Sequence, residues 1–412
     1  MMESIGLSFV LLGVAIVVAT LIYPFVVAFA KIYNIVDIPN ARKLQRVPVP
    51  VMGGTTVYVG IAVAVLVTYY LSGDVRLIKI LGILSVIYVI GLWDDIKDLP
   101  AAFKFMMEVA VSWAIILILG VEINDFHGLG GLYRVKDVVA VPLTLIAGVG
   151  IINAVNMIDG VDGYCSSYGA LACGAFALLF YVSGDTIMFT LALIVTGALI
   201  PFFFHNVFGK TSKMFLGDSG SLSLGMMLAL FTFSALSTKT ACCNTFDNSG
   251  LSPVALTLAI LAVPVFDTIK VMSLRMIKGI SPFHPDKTHL HHLFIDMCFS
   301  HIATTGIILF CNVMILLLTL LSWSLGAPAE VQLSVVVVLS LILTFGFYFY
   351  VQWEKKQNSG IGSTRFQRWC LRGQRTNITS SAAWKLLCSI VDGRLLGGTV
   401  ILTYLQNHMN NL

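Results

Sequence analysis

Five short stretches of this chain gather acidic, basic and amide side chains at spacings suited to a phosphate or a metal ion. GLWDDIKDLP sets Asp94 beside Asp95 at the end of an apolar run, and adjacent carboxylates repel, so keeping both ionised needs a cation or a proton between them. The alternative is a solvated turn before the next helix, with Asp98 as the readier cap. In NAVNMIDGVDGY, Asn153, Asn156, Asp159 and Asp162 recur every third residue, near one face of a helical turn, and the glycines let another group close on the backbone. FFFHNVFGKTSKMFLGDSGSLSLG carries Asn206, Lys210, Lys213 and Phe215 up to Asp218. Glycine and serine at a helix start offer free N–H groups to an anion, and an acidic side chain there can hold a divalent metal. Capping by Asp218 and Ser219 is the competing reading.

SPFHPDKTHLHHLF brings together His284, Asp286, His289, His291 and His292. The spacing lacks the helical HExxH pattern and no cysteine accompanies it, which weighs against zinc. Imidazoles beside an anionic substrate instead donate hydrogen bonds to phosphate. VDIPNARKLQRVPVPVMGG holds Arg42, Lys43 and Arg46 in a Pro/Gly-rich loop, where they serve either an anion or membrane orientation alone. Asp267, in VPVFDT, is an ionisable group inside an apolar segment and so is a functional candidate by default.

The elements that must position these groups are membrane helices. Of 412 residues, 58% are hydrophobic and 11% charged, against about 25% charged in soluble proteins. The small net charge of +4 gives no reason to expect nucleic acid as a partner. The eight cysteines are scattered, without CxxC or zinc spacing, and act as small hydrophobes. The first apolar run, lacking a cleavage site, reads as a retained helix. At about 20 apolar residues per crossing, the sequence predicts an all-α polytopic protein of about eleven spans, near 5–30, 52–72, 77–93, 103–121, 138–156, 164–183, 186–205, 218–238, 253–272, 302–324 and 330–351. An amino terminus outside and a carboxyl terminus inside put twenty of the 25 lysines and arginines on the cytoplasmic side, as the positive-inside rule asks. Every polar cluster above then falls at that same face. Residues 1–351 form one transmembrane catalytic domain, and 352–412 a basic, aromatic cytoplasmic tail that suits an interfacial helix or a soluble partner equally. A transporter of similar apolar build should place polar groups near mid-membrane and show an internal repeat. The one-sided clusters argue against it.

In order along the chain, PNARK, VPVMGG, GLWDDIKD, NAVNMIDGVDG, FLGDSGS, PVFDT and PFHPDKTHLHH resemble the polyprenyl-phosphate N-acetylhexosamine-1-phosphate transferases (glycosyltransferase family 4) over about residues 31–295. Leu290 interrupts the histidines, which resembles the branch that initiates O-antigen, common-antigen or teichoic-acid linkage units rather than lipid I. Tyr164 and Cys165, where the family commonly has leucine and a small residue, depart from the pattern.

The resemblance implies transfer of N-acetylaminosugar 1-phosphate, GlcNAc being the expected sugar, from a UDP-sugar to undecaprenyl or another polyprenyl phosphate. UMP leaves, and the reaction opens a cell-surface polysaccharide pathway at the cytoplasmic face of a bacterial inner membrane. Asp94, Asp95 and Asp218 are then the expected catalytic residues. Mg²⁺, replaceable by Mn²⁺, is the expected cofactor, with Asp218, Asp94 and Asn156 as its ligands. Asn156, Asp159, Asp162 and Asn206 are expected to line the nucleotide pocket, Phe215 to stack on uracil, and Lys43, His289, His291 and His292 to contact the substrate. The lipid phosphate attacks either directly, with Asp94 positioning or deprotonating it, or after formation of an aspartyl phosphate. The prenyl chain is expected along apolar grooves between helices, and a homodimer fits the resemblance.

Overall fold

The structure, a computed structural model, describes residues 2–37, 48–246, 249–281, 288–297 and 299–357, with positions 388 and 391. Arg42, Lys43, Arg46, His284, Asp286 and almost all of the tail beyond 357 lie outside the described residues. The described residues are mostly helical, with two small antiparallel sheets among them. Among the described residues nine helices are long and apolar enough to cross a membrane. They are α1 (Met2–Ile32), α2 (Gly53–Ser72), α3 (Val75–Lys97), α4 (Ala101–Leu119), α5 (Asp137–Met157), α6 (Tyr164–Ser183), α7 (Thr186–Phe208), α13 (His301–Ser324) and α14 (Ala329–Gln357). Two of the expected crossings differ from this simple form.

The first is α8 (Gly217–Ala235), whose opening Asp, Ser and Gly residues leave it less apolar than the other nine. It is nevertheless the centre of the bundle. Every residue except Asp218 is buried, with α2, α3 and α5 packed around it. Close approach there needs small residues. A Cβ on Gly54 would lie 2.2 Å from the backbone nitrogen of Gly220, a contact no rotamer relieves. Gly54→Val should therefore lower thermal stability in detergent by about 1–3 kcal/mol or more, the usual cost of overpacking. A melting profile like that of the wild-type protein would show that α2 can retreat freely.

The second is the expected span 253–272, which is broken into α10 (Pro253–Ile260) and α11 (Ala262–Ile277), bent by 75°. The cause is Pro264, which has no N–H to give to the Ile260 carbonyl four residues back. Tyr168 Oη and Asn312 Nδ2 donate to that carbonyl instead, at 3.1 and 3.2 Å, and Asn312 Oδ1 accepts from Val263 N at 3.1 Å. The break is thus satisfied from α6 and α13. Two short helices, α9 (Ala241–Phe246) and α12 (Leu290–Asp296), complete the helices of the described residues.

The sheets lie at opposite ends of the bundle. At the end where α3, α5 and α7 finish, β1 (Val36–Asp37) pairs with β2 (Val49–Pro50). Phe215 continues this strip, giving its N–H to Pro50 O and accepting from Gly53 N. The loop before α8 is thereby tied to the start of α2. At the other end, β3 (Asp125–Leu129) and β4 (Leu132–Arg134) form a hairpin between α4 and α5, held to α14 by Gly130 N donating to Glu330 Oε1.

Candidate active site

α3 runs four residues past its expected end, so Asp94 and Asp95 are helical rather than part of a turn. Consecutive helical residues point about 100° apart, and the two carboxylates take different partners. Asp94 accepts from Leu99 N and, at 2.7 Å, from Lys104 Nζ. Asp95 accepts from Asp218 N at 2.7 Å and Ser219 N at 3.0 Å. Asp95 therefore satisfies the open N–H groups at the start of α8 from a neighbouring helix, as a cap would. Of the two adjacent carboxylates, Asp94 is the one that meets the ammonium of Lys104.

Lys104 also reaches Asp218 Oδ2 at 3.2 Å. Asn156, in the last turn of α5, donates to Asp218 Oδ1 at 2.9 Å and contacts Ser221 Oγ at 3.0 Å. Asp218 is thus not the cap of its own helix. It is held by α4 on one side and α5 on the other, while the Phe215 strip fixes the chain before it.

Helix α5 ends at Met157, so the polar positions spaced by three do not share one face. Asn153 turns to Glu108 on α4 and Asn156 to Asp218, while Asp159 and Asp162 lie in the turn beyond. Asp159 accepts from Gly217 N at 3.1 Å. Burial, reinforced by the charge of Asp218, pushes its carboxyl up to about 8. Asp162 is half-buried, but the hydrogen bond from His301 and the charge of Lys213, 2.6 Å away, outweigh desolvation and hold it below the usual carboxylate range. Asn206 has both ends occupied, accepting from Gly163 N at 2.6 Å and donating to Met214 O at 2.7 Å. It fastens the Asp159–Asp162 turn to the loop before α8.

A raised Asp159 pKa means that the folded protein keeps a proton between about pH 4 and about 8 that the unfolded chain has lost. Its contribution to stability is full below that window and falls as pH rises through it. Asp159→Asn removes the slope, so its stability relative to wild type should climb from pH 4 to 8 and level off above. Thermal unfolding in EDTA across this range checks it, and parallel profiles would refute it.

The histidines are less exposed than a polar loop would leave them. His289 and His291 are buried, and His292 is half-buried. His289 Nδ1 bonds Asp267 Oδ2 at 3.0 Å. His291 packs edge-on to Tyr164, and a Cβ on Gly160 would come within 2.8 Å of its Nε2. Burial, with His292 and His289 beside it, keeps the His291 ring well below its ordinary pKa.

These groups line neighbouring spaces that share wall residues. A cavity of about 580 Å³ is lined by Asn156, Asn206, Phe215, His292 and seven aspartates: 37, 94, 95, 98, 159, 162 and 218. A second, of about 390 Å³, shares Asn156 with the first and adds Lys104, Glu108, Arg275 and His289. It shares Phe105, Asn153 and Met157 with an apolar groove of about 530 Å³ between α4, α5 and α11.

The sequence profile described as glycosyl transferase family 4 matches residues 77–236, from α3 to the end of α8. A decaprenyl-phosphate N-acetylglucosaminephosphotransferase of Mycolicibacterium smegmatis is 32% identical over 291 residues, covering 65% of this chain and 70% of that protein. The undecaprenyl-phosphate alpha-N-acetylglucosaminyl 1-phosphate transferase of Escherichia coli K12 is 30% identical over 288 residues, 68% of this chain and 74% of its own. A probable undecaprenyl-phosphate N-acetylglucosaminyl 1-phosphate transferase of Bacillus subtilis is 29% identical over 290 residues, 70% and 77% respectively. This chain belongs to the polyprenyl-phosphate N-acetylhexosamine-1-phosphate transferases.

The transferase's donor set suits a hard divalent cation. Asp94 and Asp218 offer oxygen to a shared positive charge, and the ammonium of Lys104 stands in that position. Among the described residues no three His, Cys, Asp or Glu side chains converge as a metal cage. A Mg²⁺ ion commonly takes only one or two carboxylates and completes its shell from substrate phosphate and water. Asn156 has its amide nitrogen on Asp218, which leaves its oxygen for such an ion.

In the sequence Lys104, Lys270 and Arg275 count only as orienting charges, and Glu108 is not singled out. A signal was present for two of them. Lys104 opens an apolar helix just after the Leu99-Pro100 turn that folds it back on Asp94, and Lys270 stands three residues after Asp267, one turn along a helix. Lys270 is fully buried and bonds Asp267 at 2.7 Å.

Proposed function

We propose that this transferase moves GlcNAc 1-phosphate from UDP-GlcNAc to a polyprenyl phosphate, with release of UMP, at the cytoplasmic face of a bacterial inner membrane. The observation that carries the reading is the succession of three neighbouring spaces: an acidic and amide-lined chamber suited to a metal-bound diphosphate, a cavity bearing Lys104 and Arg275 that shares Asn156 with it, and an apolar groove that fits a prenyl chain.

In this reading the diphosphate occupies the first cavity, with Phe215 against the base and His292 toward the sugar phosphate. Asp94 and Asp218 hold Mg²⁺, with Asn156 beside them. The ion supplies positive charge to the diphosphate and to the departing UMP. The lipid phosphate rests in the second cavity, where Lys104 and Arg275 offset its charge. Its second pKa is about 6, so near neutrality it is mostly a dianion. One of its oxygens attacks the phosphorus nearest the sugar, and the bond from that phosphorus to the oxygen of UMP breaks. A dianion needs no base to deprotonate it, so Asp94, which also accepts from Leu99 N and Lys104, positions Lys104 and the ion, and the lipid phosphate attacks directly.

The deciding experiment measures UMP release by purified protein given a polyprenyl phosphate and, in turn, UDP-GlcNAc, UDP-GalNAc and rarer UDP-amino sugars. UDP-GlcNAc should support the fastest release. No release from any of them would end the proposal.

In this reading α8 and the bent α10–α11 pair each count as one crossing, which with the nine long helices makes eleven and sets the termini on opposite sides, and the excess of lysine and arginine favours the amino terminus outside. Leu132→Cys in the hairpin should then be labelled by an impermeant thiol reagent in intact cells, above the signal of the native cysteines, while Lys210→Cys should not. The opposite pattern would invert the topology.

A further inference from the structure

A further groove, of about 370 Å³, lies between α3 and α4 and shares no wall residue with the spaces of the candidate site. Gly82, Ile83 and Val86 of α3 and Met107, Val111 and Ile118 of α4 line it. Ile83 and Val111 are its buried floor, while Val86 and Ile118 are exposed at its sides. From Met107 to Ile118 it follows α4 for about 16 Å at 1.5 Å per residue, close to half of a hydrocarbon core of about 30 Å. The groove is thus one leaflet deep, in the leaflet away from the candidate site. Helix packing does not account for it. Gly91, on the same helix, lets α8 approach, since a Cβ there would lie 2.6 Å from Ser219 N. A Cβ on Gly82 would meet nothing within 4 Å, although glycine weakens a helix relative to alanine. At its outer mouth the groove meets two ammonium groups. Lys79, the one charged residue in its lining, places Nζ 3.5 Å from Ile118 O. A Cβ on Gly120, just beyond α4, would lie 3.8 Å from Lys239 Nζ. Both lysines are exposed, and neither pairs with a carboxylate among the described residues, Asp74 being taken by Arg76. The predicted orientation leaves only five lysines and arginines at this end, so two at one mouth are a local concentration of charge.

We infer that this groove binds one anionic phospholipid, with an acyl chain over Ile83 and Val111 and the phosphodiester between Lys79 and Lys239. An apolar trough of one leaflet's depth matches the chain, and ammonium groups at the membrane surface attract an anionic headgroup over a zwitterionic one. In the proposed orientation this is a lipid of the outer leaflet. The same two helices carry Asp94 and Lys104 toward their other ends, 2.7 Å apart. A lipid seated between α3 and α4 therefore braces the pair that brings this acid and this cation together.

Native mass spectrometry of the full-length protein tests this, after incubation in detergent with equal amounts of phosphatidylglycerol and phosphatidylethanolamine of matched chains. One phosphatidylglycerol per protomer should be retained in preference to phosphatidylethanolamine. Lys79→Gln and Lys239→Gln should each reduce that preference about fivefold, the effect of one cation beside an anionic headgroup. Gly82→Leu, whose Cβ meets open space, should fill the groove and lose the retained lipid. It should melt no lower than wild type, because leucine is the better helix former. Equal retention of the two lipids by wild-type protein, or unchanged retention in Gly82→Leu, would overturn the assignment. Loss of a dimer mass in Gly82→Leu with the lipid still bound would give the groove to a second copy of the chain instead. Should Gly82→Leu not fold, an unaltered preference in the double variant Lys79→Gln/Lys239→Gln is enough to reject the site.

Discussion

Asp218→Asn should reduce turnover by about 10²- to 10³-fold, the usual loss when one preorganised charge is removed from a site, with little change in the amount of folded protein. The carboxylate is the single part of α8 that is not buried, and it holds a lysine and an amide rather than the helix's own N–H groups. Its removal takes charge from the reaction and almost no packing from the core. Asp94→Asn should behave alike. Asp95→Asn should not, although the two aspartates adjoin in sequence. Asparagine presents one oxygen and one N–H where Asp95 meets two backbone N–H donors. That variant should lose about 1–2 kcal/mol of stability, as for a lost helix cap, along with its activity. UMP release and thermal unfolding of the three variants separate these roles. Equal stability of all three would mean that Asp95 is not the cap of α8.

Removal of divalent metal should abolish UMP release altogether, and Mg²⁺ or Mn²⁺ should restore it, since hard ions favour carboxylate oxygen. The cavity that would receive a diphosphate is lined by seven aspartates. Lys104 and Lys213 offset only part of that charge, and an anion meeting it without a cation would be repelled. Full activity in EDTA with no metal in the purified protein would refute the metal role. Zinc should not be needed. Stoichiometric zinc that disappeared in His291→Ala, together with thermal stability, would make α12 part of a structural metal site.

The architecture was legible because apolar runs of spanning length leave little choice of element, and the match of spans to helices is close. The motifs that gather at one end of the bundle were legible for the same reason, each lying at a helix end. What a single sequence withholds is direction. Asp94 and Asp95 are neighbours of one type, and only the course of α3 sends one toward Lys104 and the other toward α8. The period of three from Asn153 to Asp162 assumed helix beyond Met157, where the chain turns instead. The histidines read as a polar loop because hydropathy carries no record of long-range partners such as Tyr164, Gly160 and Asp267. Pro264 did signal the break in the ninth expected crossing, but its angle depends on Asn312, nearly fifty residues later.

The enclosure of α8 also bears on how the protein is made. Chains leave the ribosome from the amino terminus, so α2, α3 and α5 are synthesised before the helix they surround. A segment opening with Asp218 and several serines is a poor partner for lipid, and alone in a bilayer it would leave the N–H groups of its first turn unsatisfied. Asp95 and the backbone facing Gly54 already await it when it emerges. The carboxylate that joins Lys104 to Asn156 is therefore among the later parts to arrive, and a nascent chain halted before residue 217 carries both of those partners without Asp218 between them.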